Sequence, residues 1–187
     1  CNPATAAQVD GRVEGASAGM SVALLPGRFQ PFHRGHVAIA QAVVTDGHEL
    51  MVMIGSAQEA VTWENPFSAS ERREMINAGL ATANLEPKAI LAVEDVNDDD
   101  RWVAHTIAQL PPFDYVYSAN SLVQRLFREA NYSVTAVKLQ NRQVWEGAAI
   151  RRALAADEAW EAALQPEIVV LVRRFGGPER LRELAPE

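Results

Sequence analysis

The sequence predicts an α/β fold, a Rossmann-like doubly wound parallel sheet of five strands followed by C-terminal helices. Five short apolar runs have the length of buried strands, and stretches with helical apolar spacing separate them. Alternating strands and helices are typical of βαβ units, whose right-handed crossovers place helices on both faces of a parallel sheet. No internal repeat or low-complexity tract interrupts the alternation.

Each predicted strand is a short apolar run that ends at or near a turn-forming or polar residue. The run SVALL stops at Pro26, and the run ELMVMIG is closed by Gly55. The run AILAVED leads into an acidic turn, and the runs YVYSA and YSVTAVK flank the next helical segment. The predicted strands cover 21–25, 49–55, 89–95, 115–119 and 132–138.

The predicted helices fill the segments between the strands and then most of the C-terminal part. Ser68 and Glu71 have the spacing of a capping box, which marks the start of one helix. An acidic turn precedes another helix, which Pro111 and Pro112 end. The segment 56–67 is a loop long enough to suggest a function. The predicted helices cover 36–44, 68–80, 101–110, 121–130, 147–156, 158–164 and 167–175, with a short last helix after Pro178.

The chain divides into a short polar segment and one domain. Residues 1–19 are small, polar and aperiodic, so we expect a flexible N-terminal arm or the remnant of a tag. Residues 20–187 then form a single domain, for which the 187-residue chain is long enough to bury a sizeable core.

Charge and cysteine content exclude several classes of function. The net charge is −7, which argues against a protein that binds duplex nucleic acid through many basic phosphate contacts. A local cluster of Arg and His can still bind a small anion. The one cysteine, Cys1, excludes an internal disulfide framework and a thiolate metal cage. No apolar run approaches the roughly 20 residues that a membrane-spanning helix needs.

The segment GRFQPFHRGH, residues 27–36, contains two histidines three positions apart around a glycine. A metal site is one interpretation, but zinc usually needs a third protein ligand at a fixed spacing, and no such pattern is present. A nucleophile site would need a Ser or Cys in a strained elbow, and the sequence has no G-x-S-x-G. The histidines could also have a purely structural role at the start of a helix, with their ring nitrogens hydrogen-bonded to backbone groups.

A phosphate-binding loop fits the context of these histidines better. The loop follows a predicted strand and opens a helix, where free N–H groups and the helix dipole favour anions. Gly35 removes a side chain where the backbone and a ligand must approach closely. Arg28, His33 and His36 add donors that can follow charge on a phosphoryl group. The chain has neither a Walker loop nor a G-x-G-x-x-G fingerprint.

These segments resemble a known family. The H-x-G-H pattern after the first strand is the signature of the nucleotidyltransferase superfamily. The longer segments GRFQPFHRGH, IGSAQEAVTWENPFSASER, PPFDYVYSANSLVQRLF and GGPERLREL are similar to archaeal-type nicotinamide-nucleotide (NMN) adenylyltransferases. The resemblance extends over residues 22–185 and makes residues 20–187 a single nucleotidyltransferase domain.

The resemblance implies an enzyme of NAD biosynthesis. That family transfers AMP from ATP to nicotinamide mononucleotide and forms NAD and pyrophosphate. The nucleophile would be a substrate phosphate, which is already anionic, so no protein base is needed and catalysis is positioning and charge stabilisation. ATP is then a substrate, Mg²⁺ is bound mainly through substrate phosphates, and no protein residue is expected to ligate the metal.

The resemblance also implies roles for particular residues. His33, His36, Arg28 and Arg151 would be the catalytic residues and contact the ATP phosphates. Trp102 would stack on the nicotinamide ring. The remaining residues implied to bind the nucleotides are Gly27, Phe29, Gln30, Gly35, Gly55, Ser56, Asp95, Val96, Asn120 and Gly147.

One motif departs from the family pattern. The family has Ser-Gly-Thr-x-Ile-Arg at a helix start, whereas residues 146–151 are EGAAIR, so both hydroxyls are missing. Glu146 would repel phosphate if its carboxylate pointed inward. Two alternatives therefore stay open. The chain could be another adenylyl- or cytidylyltransferase with a different phosphate acceptor, or a weakly active nucleotide-binding relic.

The expected partners are small molecules. They are ATP and nicotinamide mononucleotide, with no nucleic acid and no membrane. The resemblance further implies a homo-oligomer, with hexamers among the family's forms, and a cytoplasmic enzyme.

Overall fold

Five parallel strands form one sheet in the computed structural model, which describes residues 19–96, 98–138 and 145–186. The predicted N-terminal arm, apart from Gly19, lies outside the described residues. The strands are β1 (Val22–Gly27), β2 (Glu49–Ile54), β3 (Ala89–Ala92), β4 (Tyr115–Ser118) and β5 (Ser133–Ala136). The helices are α1 (Arg34–Thr45), α2 (Ala69–Thr82), α3 (Asp99–Ala108), α4 (Ser121–Glu129), α5 (Gly147–Ala156), α6 (Pro166–Arg174) and α7 (Gly177–Leu184).

The strand order is β3-β2-β1-β4-β5, which confirms the predicted doubly wound sheet. The chain starts in the centre at β1, winds outward to β3, and then returns to add β4 and β5 on the other side. The order therefore reverses between β1 and β4. Ligands of such folds bind outside the carboxyl ends of the strands at this reversal.

Side chains alternate across the central strands and build a core on each face. Leu25 and Val52 pack with helices α1, α2, α5, α6 and α7 on one face. Leu24 and Met51 pack with α3 and α4 on the other. Both faces are thus covered, which explains why these strands are continuous apolar runs rather than alternating ones.

Strand β1 extends two residues beyond its predicted end, through Pro26 and Gly27. Its pairing with β4 includes only Ala23 and Leu24, whereas the pairing with β2 continues to Gly27. At Pro26 the strand therefore has a neighbour on one side only. A proline without an N–H is tolerated at such a position.

The predicted helix over 158–164 is wrong. The structure has only a 3₁₀ turn at Glu161–Ala163. Asp157 ends α5 in the left-handed conformation with φ 55°, and Leu164 and Gln165 are extended before Pro166. The residue before a proline avoids the helical region, so too few residues remain for a helix.

The predicted capping box at the start of α2 is confirmed, and it is joined to the C-terminal helix. The Ser68 N–H donates to Glu71 Oε2 at 2.8 Å, and the Ser68 hydroxyl accepts from the Glu71 N–H at 3.3 Å. Arg180 of α7 donates to both carboxylate oxygens of Glu71, at 2.9 and 3.0 Å. This pair fixes α7 against the N-terminal end of α2.

We predict that Glu71→Gln lowers the free energy of unfolding by about 1–2 kcal/mol at pH 7. Glutamine keeps the capping box but loses the ion pair with Arg180. Burial raises the pKa of Glu71, but the hydrogen bonds from Arg180 and Ser68 outweigh it, so the pKa lies below its usual 4.5. The stabilisation is therefore present above pH 4.5 and is lost as the pH falls through the lowered pKa.

Urea unfolding at several pH values tests this prediction. Glu179→Gln is the control, because Glu179 forms an exposed pair with Arg182 and should change stability by less than about 0.5 kcal/mol. A difference between wild type and Glu71→Gln that does not shrink in acid would contradict the assignment to the ion pair.

Candidate active site

A cavity of about 560 Å³ opens at the carboxyl ends of β1, β2 and β4, on the strand-order reversal. The segments after β1, β2, β3 and β4 form its walls, together with residues of α3 and α4 and the N-terminal end of α5. A pocket of this size accommodates a nucleotide-sized ligand.

Most of the residues predicted from the sequence line this one cavity. The predicted residues that line it are Gly27, Arg28, Phe29, Gln30, His33, His36, Gly55, Ser56, Asp95, Trp102, Asn120, Gly147 and Arg151. The predicted residues Gly35 and Val96 are not part of the cavity wall. Gly35 is instead buried in the first turn of α1.

His33 and His36 form a stacked pair at the start of α1. Their ring centroids are 3.6 Å apart, and the planes differ by 24°. Phe32 stacks on the other face of His36 at 5.3 Å, and the edge of Phe29 packs against the same ring at 4.8 Å. The imidazole of His36 is therefore held between aromatic neighbours in one orientation.

The protonation of this pair follows from one hydrogen bond to His36 and from the burial of both rings. The backbone N–H of His33 donates to His36 Nδ1 at 3.2 Å, so the neutral His36 ring carries its proton on Nε2. The His33 Nδ1 atom is buried and has no hydrogen-bond partner among the described residues. Burial lowers the pKa of His33 to about 3. Burial and the neighbouring His33 lower the pKa of His36 well below its usual 6.5. Both rings are neutral at pH 7.

Two arginines line the cavity together with the histidines. Arg28 is exposed on the loop after β1, whereas Arg151 of α5 is buried and donates through Nη1 to the Gln30 carbonyl at 3.0 Å. Arg151 Nε is buried without a hydrogen-bond partner among the described residues. A Cβ on Gly147 would lie 3.3 Å from Arg151 Nη1, so glycine leaves room for this guanidinium. The cavity wall thus combines two cations with two neutral imidazoles.

Gln30 and Phe29 fix the conformation of the loop after β1. The Gln30 side-chain amide pairs with the backbone of Phe67, with both hydrogen bonds at 2.9 Å. Phe29 is buried with φ 52°, and a Cβ on Gly27 would lie 2.8 Å from its ring. These contacts join the loop after β1 to the segment before α2.

The loop after β2 is connected to the loop after β3 in the same way. The Ser56 hydroxyl donates to Asp95 Oδ2 at 3.1 Å, and the Gln58 side-chain amide pairs with the backbone of Asp95. Ser56 is buried and has φ 47°. These two loops form the wall of the cavity next to Trp102.

Aromatic and capping residues complete the cavity wall. Trp102 of α3 is half-buried and packs its ring edge to face with Phe127 at 5.6 Å. Asn120 caps α4 by accepting from the N–H groups of Leu122 and Val123, at 2.9 and 3.5 Å. Leu122 is an exposed apolar residue that also lines the cavity.

The EGAAIR departure lies on the cavity wall. Glu146 is the residue that precedes α5, it is exposed, and its side chain makes no capping hydrogen bond among the described residues. Ala148 also lines the cavity and offers no donor. The helix start therefore presents backbone N–H groups without the two hydroxyls of the family pattern.

Sequence analysis missed Arg72, which the structure places beneath the cavity. Arg72 lies on α2 and is fully buried, and its hydrogen bonds among the described residues go to backbone carbonyls of the surrounding loops and of Ser68, which caps α2. The one sequence signal was a charged residue at a position of α2 that faces the core, one residue after the capping-box Glu71.

Acidic residues near the cavity do not form a metal cage. Asp95, Asp98, Asp99 and Glu146 all line it. Among the described residues, no group of three or more His, Cys, Asp or Glu could hold a metal ion. Within the same part of the chain, no helix is long and apolar enough to cross a membrane.

Comparison with known proteins agrees with this architecture. A model of the cytidylyltransferase-like family matches residues 24–153. The chain is 39% identical to a nicotinamide-nucleotide adenylyltransferase of Thermoplasma acidophilum over 163 residues, which are 87% of this chain and 91% of the relative. It is 38% identical to the enzyme of that name from Archaeoglobus fulgidus, over 87% of this chain and 97% of the relative.

A solved structure shares the fold. It is a bifunctional NMN adenylyltransferase/ADP ribose pyrophosphatase from Francisella tularensis, crystallised with AMP and a manganese ion. The TM-score is 0.69 at 19% identity, over 89% of this chain and 52% of the other. The matching fold, the family model and the curated relatives agree that this chain is a nucleotidyltransferase and belongs to the nicotinamide-nucleotide adenylyltransferase family.

Proposed function

We propose that the chain transfers the AMP part of ATP to nicotinamide mononucleotide and thereby makes NAD and pyrophosphate. The observation that carries the proposal is the stacked pair of neutral histidines, which lines the same cavity as Arg28, Arg151 and Trp102. This set of residues offers donors for a triphosphate and an aromatic surface for a flat base.

The reaction needs no protein base. A phosphate oxygen of nicotinamide mononucleotide attacks the α-phosphorus of ATP, and the bond from that phosphorus to the β-bridging oxygen breaks. The attacking oxygen is already anionic, and the leaving pyrophosphate takes the bonding electrons. The protein must then hold the two substrates in line and stabilise the charge that builds up on the phosphate oxygens.

The histidines act as neutral hydrogen-bond donors in this proposal. His36 presents its Nε2–H to the cavity, because its Nδ1 accepts a hydrogen bond from the backbone N–H of His33. A buried donor that is already oriented does not have to reorganise when charge develops, which is the main source of transition-state stabilisation in such sites. Arg28 and Arg151 supply the positive charge that the neutral rings lack, and Arg151 Nε is a buried donor available for a phosphate oxygen.

We propose Mg²⁺ as the metal that accompanies ATP. Mg²⁺ keeps several waters and binds readily to substrate phosphates, so the triphosphate itself would supply most of its ligands. When bound, the ion would neutralise charge on the triphosphate and the departing pyrophosphate.

The part of the cavity wall around Trp102 is proposed to bind the nicotinamide mononucleotide. Trp102 provides the face for the pyridine ring, and the Ser56–Asp95 pair is fixed beside it. Aromatic stacking of a base on a tryptophan contributes about 1–3 kcal/mol. Asn120 is proposed to lie on the adenosine side.

A panel of acceptors tests the proposal. Purified protein is incubated with ATP, Mg²⁺ and one acceptor at a time, and pyrophosphate release is measured. The panel contains nicotinamide mononucleotide, nicotinic acid mononucleotide, phosphopantetheine, flavin mononucleotide and a sugar-alcohol phosphate. Turnover to NAD with nicotinamide mononucleotide supports the proposal, and turnover only with another acceptor contradicts it.

A nucleotide-binding relic is the second candidate, and Glu146 favours it. The carboxylate lies at the helix start where the family pattern has a capping hydroxyl. ATP binding without pyrophosphate release from any acceptor would support this candidate. The intact histidine pair and Arg151 argue for activity.

We propose a cytoplasmic homo-oligomer, with a hexamer as one form, that acts on small molecules rather than nucleic acid. Analytical ultracentrifugation tests the assembly directly.

We predict that His36→Asn lowers kcat by about 10²- to 10³-fold, because it removes the Nε2–H donor. Asparagine keeps an acceptor near the position of Nδ1, so the contact with the His33 N–H and the stability of α1 should be largely preserved. Steady-state kinetics and thermal unfolding measure the two effects. His48→Asn is the control, since His48 lies at the amino ends of the strands, and its kcat should equal that of wild type. Equal losses of kcat and of affinity for nicotinamide mononucleotide would contradict the role of His36.

We predict that acid destabilises the protein through the buried histidines. Unfolded His33 binds a proton below about pH 6.5, whereas the folded ring binds one only below about pH 3. The unfolded state then holds one more proton in this range, so the unfolding free energy falls by up to about 1.4 kcal/mol per pH unit as the pH decreases. His33→Asn should reduce this slope by that amount between pH 6 and pH 4, as measured by urea unfolding. An unchanged slope would show that His33 is protonated in the folded protein.

We predict that the double variant Glu146→Ser with Ala148→Thr lowers the KM for ATP by about three- to tenfold. It removes a carboxylate near the triphosphate, worth about 1 kcal/mol at a solvated site, and restores a capping hydroxyl. Glu158→Ser is the control for charge, because Glu158 is exposed and follows the end of α5. An unchanged KM for ATP would show that the departure has no effect on triphosphate binding.

A further inference from the structure

We propose that Arg72 is a positioning residue, which fixes two peptide groups of the cavity wall so that their N–H groups face the substrate phosphates. The two peptide groups are Arg28–Phe29, after β1, and Gly55–Ser56, after β2. The inference rests on the proposed function for the identity of the ligand. It concerns a residue that contacts no substrate itself and does not line the cavity.

The hydrogen bonds of Arg72 connect the two loops. Nη1 donates to the carbonyl of Arg28 at 3.0 Å and to the carbonyl of Gly55 at 2.7 Å. Nη2 donates to the carbonyls of Ser56 at 3.1 Å and Glu59 at 3.5 Å. One nitrogen of the guanidinium therefore bridges loops that follow different strands.

The same side chain is anchored to its own helix. Nε donates to the carbonyl of Ser68, the residue that caps α2, at 3.3 Å. The guanidinium therefore uses all three of its nitrogens on backbone oxygens. Its position is set by the helix, and the positions of the two loops are set by it.

The planarity of the peptide bond fixes the direction of the N–H groups in these two peptide units. In a trans peptide the C=O and the N–H of one unit point in opposite directions. Because the carbonyls of Arg28 and Gly55 point at Arg72, the N–H groups of Phe29 and Ser56 point away from it. Arg72 lies beneath the loops and is fully buried, and both loops line the cavity on their other side.

The backbone conformation at these two positions is unusual. Phe29 has φ 52° and Ser56 has φ 47°, in the left-handed region that side chains other than glycine rarely adopt. Such a conformation persists only where surrounding contacts hold it, and it clusters at ligand sites. Arg72 supplies a strong hydrogen bond immediately before each of these residues.

The charge of Arg72 also has no carboxylate partner. Among the described residues, no carboxylate oxygen lies within salt-bridge distance, and every hydrogen bond goes to a backbone carbonyl. Burial and the nearby Arg28 lower the pKa of Arg72 to about 10, against the opposing effect of Glu59 and Glu71, so it remains charged at pH 7. A buried cation whose only partners are loop carbonyls polarises those peptide groups and strengthens their N–H donors.

A lysine cannot replace this side chain. Arginine presents its donors in a rigid planar fork, whereas the lysine ammonium is a single point with three rotatable donors. Arg72→Lys therefore keeps the charge while losing the simultaneous contacts to both loops. Arg72→Lys therefore separates the effect of the charge from the effect of the bridging hydrogen bonds.

The experiment compares Arg72→Lys and Arg72→Met with two controls from the same helix. Arg73→Met removes a neighbouring arginine, which donates to the Ile90 carbonyl instead. Ile76→Ala removes a fully buried side chain of α2 and reports on loss of stability alone. Steady-state kinetics are measured with ATP and nicotinamide mononucleotide, and amide hydrogen exchange is followed by mass spectrometry.

Both Arg72 variants should lose about 100-fold or more in kcat, a typical effect of misplaced donors, while the affinity for α,β-methylene ATP changes by less than about tenfold. Amide exchange should rise in the loop segments 28–33 and 55–60 and stay unchanged in β1 and α1. Arg73→Met and Ile76→Ala should keep kcat within about threefold of wild type.

Three results would overturn the inference. The first is wild-type kcat in Arg72→Lys, which would mean that charge alone suffices. The second is faster exchange throughout the chain with a kcat loss matched by Ile76→Ala, which would mean a purely structural role. The third is a kcat loss without any change of exchange in the two loops. If wild-type protein made no dinucleotide from any acceptor, the proposed function would fail, but exchange in the free and analogue-bound protein would still decide the role of Arg72.

Discussion

The hydrogen bonds between Arg72 and the loop carbonyls connect the parts of this site. The loops after β1 and β2 come from neighbouring strands, and each has a residue in the left-handed conformation at its tip. Arg72 binds both, and the capping box and Glu71–Arg180 pair fix the helix from which it extends. The contacts that stabilise the N-terminal end of α2 therefore also help to position the loops of the cavity wall, through Arg72. The parallel sheet brings the loops to one edge, and the buried arginine sets their final geometry.

The histidine pair illustrates how burial changes the chemistry of a common residue. In water an imidazole is half protonated near pH 6.5. Stacked between Phe32 and His33, His36 is kept neutral and its one free N–H has a fixed direction. Neutral donors suit a reaction whose nucleophile is already charged, because no proton has to be removed. Positive charge at the cavity comes from arginines, which remain protonated even when buried.

Much of the fold could be predicted from the sequence, because the responsible signals are local. Apolar runs of strand length, Ser68 and Glu71 at capping-box spacing, and the prolines after α3 each act within a few residues. The helix over 158–164 was wrong because Asp157 and Pro166 restrict the backbone from both sides of a segment with helical composition. Most candidate site residues line one cavity, since they follow parallel strands whose carboxyl ends meet. Gly35 and Val96 do not line it, although each is the sequence neighbour of a lining residue, His36 and Asp95 respectively. Arg72 was missed because its role depends on carbonyls of loops far away in sequence, and no local pattern records them.

The central claim is that this cavity binds the ATP triphosphate through the histidine pair, with the nicotinamide end near Trp102. The most direct measurement is an experimental structure with α,β-methylene ATP and nicotinamide mononucleotide bound. The account predicts that His36 Nε2 and the N–H groups of Phe29 and Ser56 lie within about 3.2 Å of phosphate oxygens, and that the pyridine ring stacks on Trp102. A triphosphate bound away from the histidines, or a pyridine ring far from Trp102, would contradict it.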